Sequence, residues 1–117
     1  MHPFPSRSEL DFLLGEEFSQ LVFDPYSLRF GFLSEQWIVA VNVEYVDAKG
    51  RVERHGMESK AQPSSLHRVL RHSIAALEVE PFVLSLTLDD GSILRLFSGD
   101  GPYECGQISC PEGLIVY

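Results

Sequence analysis

The sequence predicts a β-dominated α+β fold. We expect two helix-plus-antiparallel-meander repeats, at about residues 8–41 and 64–97, which share one core around a pseudo-two-fold axis. The composition, with 44% hydrophobic and 22% charged residues among 117, fits a single domain over residues 1–117. Short runs of alternating apolar and polar residues, separated by Gly, Pro and Asp, are typical of antiparallel strands. A shift of 56 residues, Ser8 onto Ser64, lays one repeat on the other, and two copies are too few for an open solenoid.

The repeat is carried by six identical positions, with pairs of similar apolar residues between them. The identical pairs are Ser8 and Ser64, Leu10 and Leu66, Leu14 and Leu70, Leu21 and Leu77, Pro25 and Pro81, and Leu28 and Leu84. They fall on apolar and turn positions, where a shared fold constrains the sequence. We therefore expect the same topology in both repeats, with the two prolines at equivalent turns or bulges.

Each repeat is expected to begin with a short helix that has a serine at its N-cap. Ser8 and Ser64 are the expected caps, and the second helix is expected to extend from Leu66 to Ile74. Gly15 suits the end of the first helix, because glycine readily adopts the left-handed conformation found there.

The alternation of apolar residues then predicts seven to nine strands and a core. Residues 37–46 form one expected strand, which turns at 47–50 into a polar strand at 51–57 that is solvent-facing or at a sheet edge. Residues 89–92 form an expected hairpin turn, and 114–117 a terminal strand. The residues expected in the core are Leu14, Leu21, Phe23, Leu28, Phe30, Leu70, Leu77, Leu84 and Leu86.

The net charge of −8 at pH 7 argues against nucleic acid as a partner, because an acidic protein repels phosphate backbones. No apolar run approaches the roughly 20 residues of a membrane span. The N-terminus lacks a secretory signal, so a cytoplasmic protein without a membrane partner is expected. Residues 47–71 alone are basic, with six basic and three acidic side chains. They form either an anion site or solvated faces, and the solvated faces are the simpler interpretation.

No sequence motif indicates a catalytic, cofactor-binding or metal-binding site, so we expect binding rather than catalysis. Cys105 and Cys110 have the spacing of half a zinc site, but two further ligands would have to come from His55, His67 or His72. Two reduced, half-buried thiols on a strand are the simpler interpretation. His55 is expected to be exposed, while His67 and His72 lie on different sides of a regular helix and are expected at the surface.

The apolar spacing resembles that of small uncharacterised bacterial β-meander domains of the toxin-immunity type. The residues that carry this resemblance are Leu14-Gly15-x-x-Phe18, Leu21-x-Phe23, Leu28-x-Phe30 and Trp37-Ile38-Val39. It covers residues 13–41 and, more weakly, 69–97. The resemblance implies a non-enzymatic interaction module, immunity-like, for which an acidic surface would bind a basic partner protein.

The carboxylates of turns and loops are the expected partner-binding residues: Asp89, Asp90, Asp100 and Glu104. Two other interpretations remain open. One is a structural homo-oligomer such as a homodimer, formed through unpaired strand edges. The other is a small enzyme or ligand binder with a pocket near Cys105 and His67.

Overall fold

The computed structural model describes residues 3–56, 64–99 and 105–117. Over these residues the chain forms one α-helix, α1 (Arg7–Leu10), and two 3₁₀ turns, at Asp11–Leu13 and Leu66–Val69. It also forms ten strands. They are β1 (Phe18–Phe23), β2 (Leu28–Phe32), β3 (Trp37–Ala40), β4 (Val43–Val46), β5 (Val52–His55), β6 (Ile74–Glu80), β7 (Val83–Leu88), β8 (Ile93–Phe97), β9 (Gly106–Cys110) and β10 (Gly113–Val116).

These strands build two five-stranded antiparallel sheets. The first sheet has the order β1-β2-β3-β9-β10, and the second sheet has the order β5-β4-β8-β7-β6. Buried apolar side chains from both sheets, from α1 and from the 3₁₀ turns join in one hydrophobic cluster. The expected β-dominated α+β fold with a shared core is confirmed, and the polar strand β5 does lie at a sheet edge.

The two halves repeat one backbone pattern with the shift of 56 residues. Leu21 pairs with Phe30 across β1 and β2, and Leu77 pairs with Leu86 across β6 and β7. Each of these strand pairs is interrupted by an irregularity after its first residue pair, at equivalent positions. The correspondence therefore extends to individual backbone pairings.

Turn geometry repeats in the same way. Pro25 and Pro81 lie in the equivalent turns that follow β1 and β6, as expected. Gly15 has a φ of 84°, and its counterpart Arg71 adopts the same left-handed conformation with a φ of 72°. Gly15 thus ends the first helical segment as expected, while Arg71 adopts a conformation that is costly for a residue with a side chain.

The hairpins that follow each meander are exchanged between the sheets. The β4–β5 hairpin follows β3 in the chain but pairs with β8 of the second sheet. The β9–β10 hairpin follows β8 but pairs with β3 of the first sheet. Each sheet is therefore completed by a hairpin from the other half of the chain.

The prediction of one strand over residues 37–46 is wrong, because the chain changes sheets within it. Ile38 and Ala40 face the core from β3, whereas Val43 and Tyr45 face the core from β4. Side chains alternate between the two faces of a strand, so one regular strand cannot bury both pairs. A corner between Ala40 and Val43 brings both into the core.

The helix predictions need correction as well. Ser8 lies inside α1, which begins after Ser6, and the second helical segment is a 3₁₀ turn that ends at Val69. Ser64 still accepts a hydrogen bond from the backbone N–H of Leu66, at 3.0 Å. The second segment ends early because the chain turns left-handed at Arg71 and enters β6 three residues later.

Most of the expected core is buried, with two clear errors. The buried members are Leu28, Phe30, Leu77, Leu84 and Leu86, and the half-buried ones are Leu21 and Leu70. Leu14 is 39% exposed and Phe23 is 57% exposed, so both predictions are wrong. The helical turns direct Leu10 and Leu13 into the core and leave Leu14 outside. Phe23 lies at the end of edge strand β1, where little covers it.

Candidate functional site at the junction of the two sheets

The two sheets meet at an antiparallel bridge between Glu17 and Ser73, just before β1 and β6. Leu33 donates its backbone N–H to the carbonyl oxygen of Glu17 at 3.1 Å, and Asp89 donates to the carbonyl oxygen of Ser73 at 2.9 Å. These two bonds are related by the shift of 56 residues, so the bridge lies on the pseudo-two-fold axis. The β2–β3 turn and the β7–β8 turn are thereby held at the same end of the molecule.

Five carboxylates collect around this bridge, and we call this surface the acidic junction. Its members are Glu16, Glu17, Glu35, Asp89 and Asp90. Asp89 and Asp90 lie in the expected hairpin turn, whereas Asp100 and Glu104 lie outside the described residues. The three glutamates were missed because only the bridge brings them to the β7–β8 turn. The repeat contains the signal that would have found them, since residues 33–35 align with 89–91.

His72 links the two aspartates of the acidic junction. Its Nδ1 lies 2.6 Å from Oδ1 of Asp89, and its Nε2 lies 3.7 Å from Oδ2 of Asp90. At the equivalent place in the first half, Ser34 donates its hydroxyl to Oε2 of Glu16 at 2.6 Å. The same backbone frame thus carries an imidazole–carboxylate contact in one half and a hydroxyl–carboxylate bond in the other.

The surroundings of both aspartates favour their charged forms. The hydrogen bond with His72, helped by the backbone N–H of Ser73, holds the pKa of Asp89 below its usual range. Burial pushes the pKa of Asp90 upward, but hydrogen bonds from the hydroxyl and N–H of Ser92 outweigh it and leave the pKa lowered. Both side chains therefore remain negative under mildly acidic conditions.

Three side chains at the acidic junction have the donor atoms of a metal site. The ligand atoms of His72, Asp89 and Asp90 all lie within 4.8 Å of one another. One imidazole and two carboxylates suit a divalent cation such as Zn²⁺. The contacts of His72 with Asp89 and Asp90 account for the cluster without a metal.

A second polar cluster joins β5 to the 3₁₀ turn at Leu66–Val69. Both carboxylate oxygens of Glu53 accept hydrogen bonds from the backbone N–H of Ser65, at 3.0 and 3.1 Å. Nε2 of His55 lies 2.5 Å from Oε2 of Glu53 and 3.5 Å from Oγ of Ser64. A serine-nucleophile triad needs the acid and the serine on different ring nitrogens, whereas here both contact Nε2 of His55. The cluster therefore links β5 to the 3₁₀ turn and does not have the geometry of a triad. The exposed position expected for His55 is wrong, since its side chain is 9% exposed.

The outer face of the second sheet holds a carboxylate between two arginines. Glu44 is 9% exposed, and it accepts hydrogen bonds from Nε of Arg54 at 2.9 Å and from Nη1 of Arg95 at 2.8 Å. The bond from Arg54 lowers the pKa of Glu44 most, burial opposes it, and Arg95 adds to the lowering. The net pKa lies below the usual value of 4.5, so Glu44 is charged in the folded protein.

Glu44→Gln should remove part of the acid sensitivity of folding. A carboxylate whose pKa is lowered by folding stabilises the native state fully above its unfolded pKa of 4.5, and this stabilisation is lost as the pH falls through the folded value. We expect the variant to be less stable by about 1 to 2 kcal/mol at neutral pH. Urea unfolding at stepwise lower pH should show this difference shrink below pH 4.5. A difference that stays constant with pH would contradict this role for the Glu44 charge.

The remaining expected sites are placed as follows. Both cysteines are half-buried, with Cys110 in β9 and Cys105 just before it, and neither forms a disulfide with a described residue. His67 is exposed on the 3₁₀ turn. A cavity of about 810 Å³ lies instead over the outer face of the second sheet, beside Glu44 and its two arginines.

Comparison with protein-family models, with curated proteins and with solved structures finds no match for this chain. Within the described ranges, no helix has the length and the apolar character that crossing a lipid bilayer requires.

Proposed function

We propose that this protein is a non-enzymatic interaction module that binds a basic partner protein at the acidic junction. The observation that carries the proposal is the collection of five carboxylates around the Glu17–Ser73 bridge, on turns fixed by backbone hydrogen bonds. Clustered charges on a rigid frame accelerate the encounter with a partner of opposite charge and fix its orientation.

The charge balance of the surface supports this assignment. Within the described residues, His72 is the sole basic side chain that forms ion pairs with the junction carboxylates. The chain as a whole carries a net charge of −8, so its long-range field attracts cations as well. Asp90 also lines a pocket with Lys49, Arg51 and Arg68. A positively charged partner would neutralise the junction carboxylates that form no ion pair with a described residue, which are Glu16, Glu17 and Glu35.

The particular form of this function that we propose is an immunity-like inhibitor in the bacterial cytoplasm. The resemblance in apolar spacing to β-meander domains of the toxin-immunity type suggests it, and an acidic surface suits the occlusion of a basic toxin. The inhibitor would act by covering the partner's surface, which requires tight binding and no chemistry.

A pair of charge-matched variants tests the site. The junction variant carries Glu16→Gln, Glu17→Gln, Asp89→Asn and Asp90→Asn. The control variant changes the net charge by the same amount at exposed sites elsewhere: Glu9→Gln, Asp11→Asn, Asp24→Asn and Glu112→Gln. Both sets replace carboxylates with amides of the same shape, so differences in binding report on charge and its position.

Each protein is immobilised, and proteins captured from a lysate of the native cell are identified by mass spectrometry. We expect the wild type and the control to retain the same basic protein and the junction variant to lose it. With that partner purified, its association rate should fall at least about tenfold in the junction variant, and the wild-type rate should fall as salt is raised. A partner that binds all three proteins equally, or a wild-type bait that retains no basic protein lost by the junction variant, would contradict the proposal.

A further inference from the structure

A solvent-open groove lies on the outer face of the second sheet, away from the acidic junction. Its cavity measures about 810 Å³, within the range typical of small-ligand sites. Charged, polar and apolar side chains from all five strands of that sheet line it. Those that carry the argument are Glu44, Arg54, Glu78, Val83, Arg95 and Phe97.

The floor of the groove is a row of five residues in register, one from each strand of the sheet. The pairings run from Arg54 to Glu44, from Glu44 to Arg95, from Arg95 to Ser85 and from Ser85 to Glu78. We call these five residues the charged row. Its charges alternate across the sheet, with a cationic end around the two arginines and an anionic end at Glu78, next to Glu80 on the same face.

The first sheet provides an internal control for this row. The equivalent residues there, paired in the same register, are Val116, Gln107, Val39, Arg29 and Val22. That row contains a single charged side chain, and its backbone pairing matches that of the second sheet. The fold therefore does not require the charged row, and a charged side chain as buried as Glu44 needs another explanation.

Glu44 holds the two arginines without using up their hydrogen-bonding capacity. Arg54 contributes Nε and Arg95 contributes Nη1 to the carboxylate, and a guanidinium group has five N–H donors. The side chain of Arg54 is 80% exposed and that of Arg95 is 34% exposed, so solvent reaches both groups. Two arginines share one carboxylate here, which leaves a net positive charge available for a second anion.

The opposite end of the groove suits a cation. Glu78 and Glu80 are both exposed on β6, two residues apart and thus on the same face. Ser85 lies between Arg95 and Glu78 in the charged row. In the adjacent row, Glu80 pairs with Val83 and Val83 with Phe97, and these two half-buried side chains present apolar surface to the groove. Arg95 and Glu78 are separated by two strand spacings, or roughly 10 Å.

We infer that this groove binds a short extended peptide through its two free termini, with the carboxylate at Arg95 and Arg54 and the ammonium group at Glu78 and Glu80. Three extended residues span roughly 10 Å at about 3.3 Å each, which matches the separation of the charged ends. The apolar surface of Val83 and Phe97 accepts small side chains. This site is distinct from the acidic junction and does not depend on it.

Trialanine is the probe that tests this inference, because apart from its two peptide groups it carries only the two charged termini and three methyl groups. We expect titration with trialanine to give saturable ¹⁵N chemical-shift changes centred on β7 and β8. N-acetyl-trialanine lacks the ammonium group, and trialanine amide lacks the carboxylate. Each should bind at least about tenfold more weakly, because each loses one set of charge-assisted hydrogen bonds.

Protein variants separate the two ends of the site. Arg95→Gln and Arg54→Gln should weaken trialanine at least about tenfold but leave the already weak binding of trialanine amide nearly unchanged. Glu78→Gln combined with Glu80→Gln should likewise weaken trialanine at least about tenfold but leave the already weak binding of N-acetyl-trialanine nearly unchanged. The matched control is Arg29→Gln, in the equivalent row of the first sheet. This variant should bind trialanine as the wild type does.

Two results would overturn the inference. One is the absence of saturable shifts with trialanine. The other is equal binding of trialanine and both capped forms, which would show that neither terminus contributes to binding. Arg54 is the more exposed arginine, so Arg54→Gln remains informative if Arg95→Gln fails to fold.

Discussion

Gly106→Ala should lower the free energy of unfolding by about 3 kcal/mol or more. A Cβ atom built on Gly106 would lie less than 3.0 Å from the backbone oxygen of Val39 and from the hydroxyl of Tyr117. Tyr117 is fully buried and donates its hydroxyl to that same oxygen at 3.1 Å, so neither atom has room to move away. Urea or thermal unfolding measures the loss.

The matched control for this change is Gly99→Ala. Among the residues that the structure describes, a Cβ atom there would meet only Sγ of Cys105, at an ordinary 3.9 Å, so we expect a change of about 0.5 kcal/mol or less. If Gly106→Ala proves as mild as Gly99→Ala, the close packing of β9 against β3 and Tyr117 is not as the structure has it.

Leu84→Ala should cost about 2 to 5 kcal/mol of folding free energy, because it leaves a cavity in a core that cannot fully collapse. Leu84 is fully buried in β7, between β6 and β8. Leu14→Ala removes the same atoms from a side chain that is 39% exposed, so its cost should be several times smaller. Chemical denaturation of the two variants side by side measures both losses of folding free energy. It tests whether Leu84 in β7 faces the core and whether Leu14 faces outward. Equal losses would show that one of these two phases is misassigned.

The repeat made much of the fold predictable. Identical leucines such as Leu28 and Leu84 mark strand positions that face the core, and both are buried. The alternation of apolar residues predicted burial wrongly where the backbone geometry changes within a few residues. The 3₁₀ turn, with three residues per turn, turned Leu14 outward, and the end of an edge strand left Phe23 uncovered.

The corner between β3 and β4 corresponds to a change in the phase of the apolar residues along the sequence. The continuous apolar run at this point makes that change hard to recognise. Ile38 and Ala40 are even-numbered, whereas Val43 and Tyr45 are odd-numbered, and such a change of phase requires a break in the strand. It does not indicate which sheet the chain enters next. The exchange of hairpins depends on pairings between distant segments, such as β4 with β8, and local pattern carries no information about these.

The candidate sites were harder to predict than the fold for the same reason. Asp89 and Asp90 stood out because a hairpin turn exposes its acids. Glu16 and Glu17 join them only through the bridge at Ser73. The charged row combines residues from five strands, and the register that aligns Glu44 with Arg54 and Arg95 is a property of the assembled sheet.

The exchange of hairpins also governs the order in which a growing chain acquires its structure on the ribosome. Strand β3 emerges early, but β9, its neighbour in the first sheet, is made only when synthesis reaches residues 106–110. Until then β3 presents a bare edge, to which the β9–β10 hairpin of another chain would fit as well as its own. Slow translation before residue 106 would therefore favour dimers that share hairpins between chains, whereas rapid completion favours the monomeric pairing.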